Sequence, residues 1–456
     1  MNLNIVILAA GQGTRMKSSL PKVLHPIGGK PMVAHVISSA KILKATKSKI
    51  IMVYGHGGDL LRDTINDTSL HWVQQAEQLG TGHAVQQAAD QFEDDAVVLV
   101  LYGDVPLITP QTLTFLFEAA KDDSLAILTM FVDQPSGYGR IIRNSDSQVL
   151  AITEEKDAGE AEKLIKEVNT GFLAVKAQLL CGWLAQLKNN NSQGEYYLTD
   201  IISLAVQDKV TIHSVQAETS DEVLGVNSKT QLAYLERCYQ QRQCEVLMQQ
   251  GVTLIDPARV DIRGSLTVGK DVSIDANVLF EGDVILGDNV SIAANCVIKN
   301  STIASGVDIL PMCHIEDSKL GANCRVGPYS RLRPGSALKG DNHIGNFVEI
   351  KNSIIESGSK VNHLTYIGDT DMGSGVNIGA GTITANYDGA NKHRTKIGDN
   401  ASTGSNSVLV APIEVGAGAT IGAGTVLTKN APEGELTLAR SVQKSVSGWA
   451  RPVKKK

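Results

Sequence analysis

A six-residue repeat of aliphatic residues constrains the fold of this chain more than any other feature of its sequence. The repeat begins shortly after Gly251 and is shortened to five residues after Ile298, Ile315, Ile350 and Ile367. The repeated positions are Val268, Ile274, Phe280, Leu286, Ile292, Ile298, Ile303, Ile309, Ile315, Leu320, Val326, Leu332, Leu338, Ile344, Ile350, Ile355, Val361, Ile367, Met372 and Ile378. Helical spacing cannot produce this pattern, whereas a triangular β-helix can, because each hexapeptide forms one side and three sides form one coil. We therefore predict a left-handed parallel β-helix over residues 251–456.

The residues between the repeated positions indicate a narrow prism. One aliphatic residue per side is expected to point into the core, and the residue four positions later is usually small or β-branched. The aromatic fraction of only 4% fits a core with little room, and glycine and asparagine suit tight corners. The repeat fails over residues 384–399, so a loop is expected to project from the prism there.

The first half of the chain follows a different pattern. Apolar segments such as NIVILAA, KIIMVY, AVVLVLY and SLAILTM alternate with segments typical of helices, such as GTGHAVQQAADQF. This alternation predicts a Rossmann-like α/β domain over residues 1–229, with a mostly parallel sheet that binds ligands at the carboxyl ends of its strands. Residues 229–250 contain neither glycine nor proline, and Ser228 and Gly251 suit the two ends of one long helix. We expect residues 230–250 to form a helical linker; the alternative is an ordinary last helix of the first domain.

Composition and charge limit the class of function. The length of 456 residues indicates two or three domains, and the net charge of −6 gives no support for a nucleic-acid or anionic-membrane partner. The six cysteines form no CxxC pair and no zinc-type cluster with histidine, so we interpret them as buried thiols in a reducing compartment. No segment approaches the ~20 apolar residues of a membrane helix, and no secretory signal is evident. We expect a cytoplasmic protein with no nucleic-acid partner and no membrane insertion.

A glycine-rich turn follows the first predicted strand, in the segment ILAAGQGTRMKSSLPKVL. Gly11 and Gly13 permit close backbone approach, and backbone amides at a following helix N-terminus would favour an anion there. The turn matches neither the Walker spacing nor the dinucleotide-binding GxGxxG, and by itself it is also typical of an ordinary βα turn. Arg15 and Lys22 add two cations, which suit a triphosphate whose charge redistributes during transfer.

The segment LAAGQGTRM followed by PK resembles the signature of sugar-1-phosphate nucleotidyltransferases. Together with its hexapeptide half, the whole chain resembles the bacterial bifunctional UDP-N-acetylglucosamine pyrophosphorylase and glucosamine-1-phosphate N-acetyltransferase family. The resemblance implies that the C-terminal domain acetylates glucosamine-1-phosphate with acetyl-CoA. It implies that the N-terminal domain then transfers UMP from UTP to N-acetylglucosamine-1-phosphate, giving UDP-N-acetylglucosamine and pyrophosphate. It further implies a Mg²⁺ cofactor, a homotrimer, and a supply of UDP-N-acetylglucosamine for peptidoglycan and lipopolysaccharide.

The same resemblance assigns residues to a uridylyl-transfer site. Asp104, at the end of the strand in VLVLYGDVPL, is implied as a magnesium ligand together with Asn227, although the sequence alone leaves a loop cap open for Asp104. Arg15 and Lys22 are implied as catalytic cations beside the α-phosphate and the leaving pyrophosphate. The attacking sugar phosphate needs no general base, because its second pKa is about 6 and it is already largely dianionic. The residues implied to bind UDP-N-acetylglucosamine are Leu8, Ala9, Ala10, Gly11, Lys22, Gln75, Gly80, Thr81, Tyr102, Gly103, Asp104, Gly139, Glu154, Asn169 and Asn227, of which Gln75, Gly80 and Thr81 would read the uracil.

A second group of polar residues lies on the hexapeptide repeats, away from the inward positions. Arg333, Lys351, His363 and Tyr366 are expected on successive coils, and a basic cluster with one histidine suits a sugar phosphate whose amine must lose a proton. Histidine ordinarily has a pKa of about 6.5, and the resemblance makes His363 the general base. The residues implied to contact the acetyl-acceptor sugar phosphate and acetyl-CoA are Arg333, Lys351, Tyr366, Asn377, Ala380, Asn386, Tyr387, Ser405, Ala423 and Arg440. Because one flat prism face cannot enclose a substrate, we expect these sites between the subunits of the homotrimer.

Three alternatives belong to other classes. The β-helix could be purely structural beside an active nucleotidyltransferase. The chain could be a γ-type carbonic anhydrase with interfacial zinc, although His314, His343, His363 and His393 lack close ligand spacing. It could also be a non-catalytic relative, such as a nucleotide-exchange factor subunit, which the intact glycine-rich turn argues against.

Overall fold

The computed structural model of the chain describes residues 1–11, 13–55 and 57–454. The chain forms two compact units, Met1–Tyr239 and Gln240–Lys456, which are described separately below. The helices of the first unit are α1 (Met32–Lys41), α2 (Gly58–Ile65), α3 (Thr81–Ala88), α4 (Pro110–Ala119), α5 (Glu160–Lys163), α6 (Ala177–Leu184), α7 (Ile201–Gln207) and the first part of α8 (Lys229–Gln249). Its strands are β1 (Asn2–Ala9), β2 (Pro26–Ile27), β3 (Lys30–Pro31), β4 (Lys47–Tyr54), β5 (Leu70–Gln74), β6 (Val97–Tyr102), β7 (Leu125–Phe131), β8 (Arg140–Arg143), β9 (Val149–Thr153), β10 (Glu167–Lys176) and β11 (Ile212–Gln216).

The first unit is built on one twisted sheet with the strand order β11-β7-β10-β6-β1-β4-β5. Strand β1 runs parallel to both β4 and β6, and its successive residues Ile5 and Val6 are fully buried because helices cover both faces. Strand β10 runs antiparallel to its neighbours β6 and β7. The predicted mostly parallel, Rossmann-like sheet is confirmed, with exceptions at β10 and at β8 and β9, which also pair antiparallel. The register of Leu8 with Tyr102 brings the ends of β1 and β6 to the same edge of the sheet.

The second unit is a parallel β-helix, as the six-residue repeat predicts. Ser273 pairs with Ser291, and Ser291 pairs with Asp308, so one coil takes 18 or 17 residues, which is three hexapeptides with an occasional five-residue side. Its strands are β12 (Thr253–Leu254), β13 (Val260–Val268), β14 (Ser273–Ile274), β15 (Val278–Leu286), β16 (Ser291–Ile292), β17 (Val297–Lys299), β18 (Thr302–Ile303), β19 (Asp308–Ile309), β20 (His314–Glu316), β21 (Lys319–Leu320), β22 (Arg325–Val326), β23 (Arg331–Leu332), β24 (Ala337–Leu338), β25 (His343–Asn346), β26 (Glu349–Lys351), β27 (Ile354–Ile355), β28 (Lys360–His363), β29 (Tyr366–Gly368), β30 (Thr370–Met372), β31 (Asn377–Ile378), β32 (Ile383–Ala385), β33 (Thr395–Ile397), β34 (Ser402–Thr403), β35 (Val408–Val410), β36 (Ile413–Val415), β37 (Thr420–Ile421), β38 (Val426–Leu427) and β39 (Leu436–Thr437).

The core of the prism takes two residues from each side. The repeated aliphatic positions are buried, apart from Val268, which is partly buried against the core. The residues four positions later, such as Val272, Cys296 and Ser330, are buried as well. The prediction of one inward residue per side was therefore wrong. The second residue lies beside the corner, where the interior narrows, which explains why it is small or β-branched.

The projecting loop is shorter than its predicted bounds. Thr370 pairs with Thr395, a separation longer than one ordinary coil, so extra residues leave the prism between them. Thr384 and Thr395 are nevertheless fully buried, because both belong to core-facing strands. The excursion is limited to residues 386–394 and is closed by an antiparallel bridge between Tyr387 and Lys392.

Helix α8 contributes to the cores of both units. Leu235, near its start, is buried in a cluster of the first unit, while Cys244 and Leu247 are buried in the core of the second. The amide of Gln231 donates to the Ser228 hydroxyl at 3.2 Å, as expected for a helix start there. No described helix has the length and hydropathy that a bilayer-spanning segment requires.

Candidate active sites

A cavity of about 510 Å³ opens at the carboxyl ends of β1 and β6. Its walls are formed by Leu8, Ala9, Ala10, Gly11, Lys22, Val23, Gln75, Gln78, Gly80, Thr81, Ala84, Tyr102, Asp104 and Glu195. The structure thus brings together the residues predicted from the glycine-rich turn, from QAEQLGTG and from the end of β6. Sequence analysis missed Val23, Gln78 and Ala84, which lie next to predicted residues in the same motifs. It also missed Glu195, for which the sequence carried no signal.

The turn after β1 differs from the predicted strand–turn–helix arrangement. Two three-residue 3-10 helices, Thr14–Met16 and Lys22–Leu24, follow the glycines, and the first α-helix begins at Met32. The expectation of a helix N-terminus at the phosphate was therefore wrong, since so short a helix aligns too few peptide dipoles. Gly13 has a φ of 63°, and a Cβ added to it would lie 2.8 Å from the Lys22 Cβ, so glycine allows the turn to pack on Lys22. Arg15 is exposed in this turn.

The centre of the cavity joins three predicted residues from distant parts of the chain. The Lys22 ammonium donates to the Asp104 carboxylate, and it also donates to Asn227 Oδ1 at 3.1 Å. The side chains of Lys22 and Asp104 are only 13% and 15% exposed, which strengthens their attraction. The backbone amide of Val226 donates to the Asp104 carbonyl at 2.9 Å, which holds the Asn227 turn beside the end of β6.

The donor set beside Lys22 suits a hard divalent cation. Asp104 offers carboxylate oxygens and Asn227 an amide oxygen, which are the kinds of ligand that Mg²⁺ prefers. No group of three or more His, Cys, Asp or Glu side chains placed to hold a metal occurs among the described residues. The protein ligands that this site could offer a metal are therefore Asp104 and Asn227.

Two of the residues predicted to read the uracil, Gln75 and Gly80, hydrogen-bond to each other. Gln75 is 3% exposed, and its Nε2 donates to the Gly80 carbonyl at 3.1 Å and lies 3.1 Å from His83 Nδ1. The Thr81 hydroxyl accepts from the Leu198 amide at 3.2 Å. The donor side of the Gln75 amide is thus engaged within the protein, which fixes the orientation of the amide at the cavity wall.

A second predicted group, for the sugar, lies beyond Tyr102. The backbone amide of Asn169 donates to the Gly139 carbonyl at 2.8 Å, and the Thr199 hydroxyl donates to Glu154 Oε1 at 3.0 Å. Burial raises the pKa of Glu154. Burial also raises the pKa of Tyr102, and the negative charges of Glu154 and Asp104 raise it further, so the phenol stays protonated between them.

The residues that follow Glu154 are charged as well. Glu155 lies 2.7 Å from the guanidinium of Arg140, whose side chain is only 1% exposed. This close contact with the guanidinium lowers the pKa of Glu155. Lys156 is exposed and donates to Gln193.

The predicted acetyl-transfer residues of the β-helix fall into two groups on different sides of the prism. The first group surrounds Asp369, a carboxylate that is 5% exposed. Asn386 donates to Asp369 and lies 3.5 Å from the Tyr366 hydroxyl, while Arg333 donates to Glu349 at 2.8 Å.

This first group includes a cation that sequence analysis missed. The Lys392 ammonium contacts Lys351 and lowers its pKa, with burial and Arg333 acting in the same direction. Three cations therefore lie close together, an arrangement that suits an anion. The motif NKHR contains Lys392, but only the fold of the loop places it beside Lys351. Tyr387, in the same loop, donates to the Gly389 carbonyl at 2.6 Å.

The second group follows one column beside a corner. Strand registers place His363, Ala380, Ser405 and Ala423 at equivalent positions of successive coils. Asn377 lies three residues before Ala380 on the same side, and the Arg440 side chain is close to Gly424, next to Ala423. His363 also lines a groove of about 270 Å³.

The expectation that His363 and Tyr366 lie on successive coils was wrong. Arg333 and Lys351 do occupy equivalent positions of successive coils. His363 ends β28 and Tyr366 begins β29 of the same coil, across a corner made by Leu364. One side of the prism thus carries the cation cluster, which we define as Arg333, Lys351 and Lys392. The next side carries the histidine column, which we define as His363, Ala380, Ser405 and Ala423.

Comparison with known families matches both units. The model of the MobA-like NTP transferase domain matches residues 5–171, that of the GMPPB C-terminal domain matches residues 262–343, and that of the bacterial transferase hexapeptide (six repeats) matches residues 394–429. The fold and its two sites define a nucleotidyltransferase joined to a hexapeptide-repeat acyltransferase of the left-handed β-helix class.

Relatives extend this likeness over the full chain. Proteins named Bifunctional protein GlmU are 56% identical in Ralstonia nicotianae and 55% identical in Azoarcus sp., each over 454 residues, covering 100% of this chain and 99% and 100% of theirs. This chain belongs to the GlmU family and is a bifunctional uridylyltransferase and N-acetyltransferase. A solved UDP-glucose pyrophosphorylase complexed with UDP-glucose covers 53% of this chain and 100% of its own at 18% identity and a TM-score of 0.44, and the assignment does not depend on it.

Proposed function

We propose that the β-helix unit acetylates glucosamine-1-phosphate with acetyl-CoA, and that the α/β unit transfers UMP from UTP to the resulting N-acetylglucosamine-1-phosphate. The products of the second step are UDP-N-acetylglucosamine and pyrophosphate. The observation that carries the proposal is the meeting of Lys22, Asp104 and Asn227 at a cavity lined by the glycine-rich turn. We further propose that the enzyme acts in the cytoplasm and supplies the sugar nucleotide for peptidoglycan and lipopolysaccharide.

In the uridylyl-transfer step the protein positions two anions, UTP and N-acetylglucosamine-1-phosphate, and excludes water from the site. The sugar-phosphate oxygen attacks the α-phosphorus of UTP, and the bond from that phosphorus to the pyrophosphate oxygen breaks. Lys22 and Arg15 would bind the phosphate oxygens of UTP, and the backbone from Leu8 to Gly11 would approach them closely. Because the nucleophile is already ionised, the chain needs to supply orientation and positive charge and no proton acceptor.

Mg²⁺ is the proposed cofactor of this step. Asp104 and Asn227 would hold it, and when bound it would supply positive charge at the phosphate oxygens. Lys22 now contacts both of these oxygen ligands, so its ammonium would turn to the triphosphate when substrate enters. Glu154, Asn169 and Gly139 would bind the sugar and ribose.

In the acetyl-transfer step His363 is the proposed general base. The amine nitrogen of glucosamine-1-phosphate attacks the thioester carbonyl, its proton passes to His363 Nε2, and coenzyme A leaves as the carbon–sulfur bond breaks. The cation cluster of Arg333, Lys351 and Lys392 supports recognition of the sugar phosphate. The residues proposed for the acetyl-CoA path are Ala380, Asn386, Tyr387, Ser405, Ala423 and Arg440; Tyr366 and Asn377 would contact the sugar.

A homotrimer would complete this second site. The cation cluster and the histidine column lie on different sides of one prism, so a neighbouring copy that presents its cluster to this column would enclose the sugar phosphate between them. A corner stripe of four exposed apolar residues supports such packing: Met312, Tyr329, Phe347 and Leu364, which are 45%, 52%, 54% and 65% exposed. All four have φ between 51° and 62°, where large apolar residues are rare, and Tyr329 stacks on Phe347 at 5.3 Å between ring centroids. Strained, exposed apolar side chains in one line are what an interface with a second copy of this chain would cover.

Charge placed in this stripe is expected to dissociate the assembly. The double variant Tyr329→Asp/Phe347→Asp should be monomeric by analytical ultracentrifugation, because buried unpaired carboxylates oppose packing. It should lose most acetyl transfer and keep uridylyl transfer. Leu164→Asp, which changes an exposed leucine of the first unit, serves as the control and should sediment as wild type. An unchanged trimer in the double variant, or a wild-type chain that is monomeric, would refute the proposed assembly.

The overall reaction is tested by omitting one reactant at a time. Purified protein with glucosamine-1-phosphate, acetyl-CoA, UTP and Mg²⁺ should form UDP-N-acetylglucosamine, detected by mass spectrometry. Omission of acetyl-CoA should abolish both N-acetylglucosamine-1-phosphate and UDP-N-acetylglucosamine. Omission of UTP should stop the reaction at N-acetylglucosamine-1-phosphate. Chelation of divalent metal should abolish only the uridylyl step. Formation of the UDP-sugar without acetyl-CoA, or its absence with all reactants present, would contradict the proposal.

A further inference from the structure

Asn346 lies directly beside the proposed general base. His363 Nδ1 is 3.0 Å from Asn346 Oδ1, and parallel pairing between β25 and β28 sets the two residues opposite each other. An imidazole nitrogen that faces a carbonyl oxygen carries the proton and donates it. The lone pair of the neutral ring then lies on Nε2, the atom that must accept a proton from the substrate amine.

The backbone around this pair is held firmly. The Leu364 amide donates to the Asn346 carbonyl at 3.1 Å, and the Gly381 amide donates to the His363 carbonyl at 3.1 Å. The Thr365 hydroxyl donates to the same His363 carbonyl at 2.6 Å. The positions of both side chains therefore follow from the ladder between coils, and the ring orientation depends on the side-chain contact with Asn346.

The equivalent positions on the neighbouring coils lack a side-chain hydrogen-bonding group. Strand registers place Pro328 one coil before Asn346 and Ala380 one coil after His363. Neither side chain can accept a proton from an imidazole. Within this column, Asn346 is the residue whose side chain can fix the tautomer of His363.

The titratable groups around the pair are mostly basic. Arg325 and His343 line the same groove from preceding coils, Lys360 is on the strand of His363, and Tyr366 lies beyond the corner. Because the Asn346 side chain is a neutral amide, it orients the ring without placing a charge beside it. A carboxylate in place of the amide would stabilise the imidazolium instead.

We propose that Asn346 is a positioning residue for acetyl transfer, which accepts the Nδ1 proton of His363 and so leaves Nε2 free to deprotonate the amino group of the substrate. This inference rests on the proposed role of His363 as base. It assigns Asn346 no contact with the substrate. Its effect should therefore appear in the turnover number and the pH profile, and not in the Michaelis constant for the sugar phosphate.

The test measures acetyl transfer against pH for full-length Asn346→Asp and Asn346→Ala proteins. Asn346→Asp should move the acid limb of kcat/KM to higher pH by about one unit, because an adjacent negative charge favours the protonated ring. Asn346→Ala should lower kcat about tenfold, a fraction of the 10²–10⁴ that a general base contributes, with little change in KM. The substrate amine titrates in the same way with every variant, so a difference between two pH profiles reflects a change in the ionisation of the protein.

Two controls keep the outcomes separate. Uridylyl transfer in the same samples should stay at the wild-type level, which shows that each variant is folded and active in its other unit. His343→Gln, in the same groove, should leave the acid limb in place. An unmoved limb in Asn346→Asp, a normal kcat in Asn346→Ala, or a limb that moves in His343→Gln would overturn the role of Asn346. Retained acetylation in His363→Ala would instead overturn the proposed base.

Discussion

Replacing Lys22 by alanine is expected to lower uridylyl transfer at least about 10²–10³-fold while acetyl transfer stays normal. The ammonium is mostly buried between Asp104 and Asn227, where a charge acts more strongly than in water. Its loss removes a cation from the proposed phosphate site and leaves the Asp104 carboxylate without its partner. Rates of UDP-N-acetylglucosamine formation from UTP and N-acetylglucosamine-1-phosphate would measure the effect directly.

The matched control is Lys41→Ala. Lys41 also pairs with an aspartate, Asp67, but its side chain is 45% exposed, and screened surface pairs contribute little. Asp104→Ala should resemble Lys22→Ala and should also weaken activation by Mg²⁺, which Lys22→Ala should not. Normal uridylyl transfer in either Lys22→Ala or Asp104→Ala would remove the assignment of this centre.

Replacing His363 by alanine is expected to reduce acetyl transfer by about 10²–10⁴-fold, the usual contribution of a general base. Uridylyl transfer should be unaffected, because the site proposed for it lies in the other unit. The measurement is release of free coenzyme A from acetyl-CoA with glucosamine-1-phosphate, followed with a thiol reagent. His363 is exposed at the end of β28, so its truncation leaves no cavity in the prism core.

His343→Ala is the matched control for this variant. His343 is likewise exposed and lines the same groove, so it reports any general effect of removing an imidazole from this face. Its acetyl transfer should remain within the range of the wild type. If His363→Ala still acetylated the sugar phosphate at a normal rate, the base would have to be sought elsewhere.

Parts of the uridylyl-transfer site could be predicted because they are continuous in the sequence. The glycine-rich turn and the segment from Gln75 to Thr81 each carry their residues within a few positions, and the structure places both at one cavity. Glu195 comes from a distant loop without a motif and was missed. The predicted helix N-terminus at the phosphate was wrong, because between Gly13 and the first α-helix the chain makes only short 3-10 turns.

The acetyl-transfer site was predicted less completely, for a geometric reason. The sequence shows which residues do not point into the prism core. It does not show on which side of the prism each of them lies. His363 and Tyr366 are three residues apart and lie on different sides, whereas Ala380 and Ser405 are far apart and lie at equivalent positions. Only the fold of the loop at residues 386–394 places Lys392 beside Lys351.

The sequence by itself determined the class of fold in both halves, since the spacing of apolar residues along the chain dictates which backbone geometry can bury them. A six-residue period admits a triangular coil and excludes a helix, and this holds before any long-range contact is known. The tertiary structure alone decided which charged groups meet: Lys22 lies 82 residues from Asp104 and 205 from Asn227. It also decided the bounds of the loop and the division of the acetyl-transfer residues between two sides. Such contacts depend on how whole helices and strands pack together, so they cannot be predicted from the local order of residues.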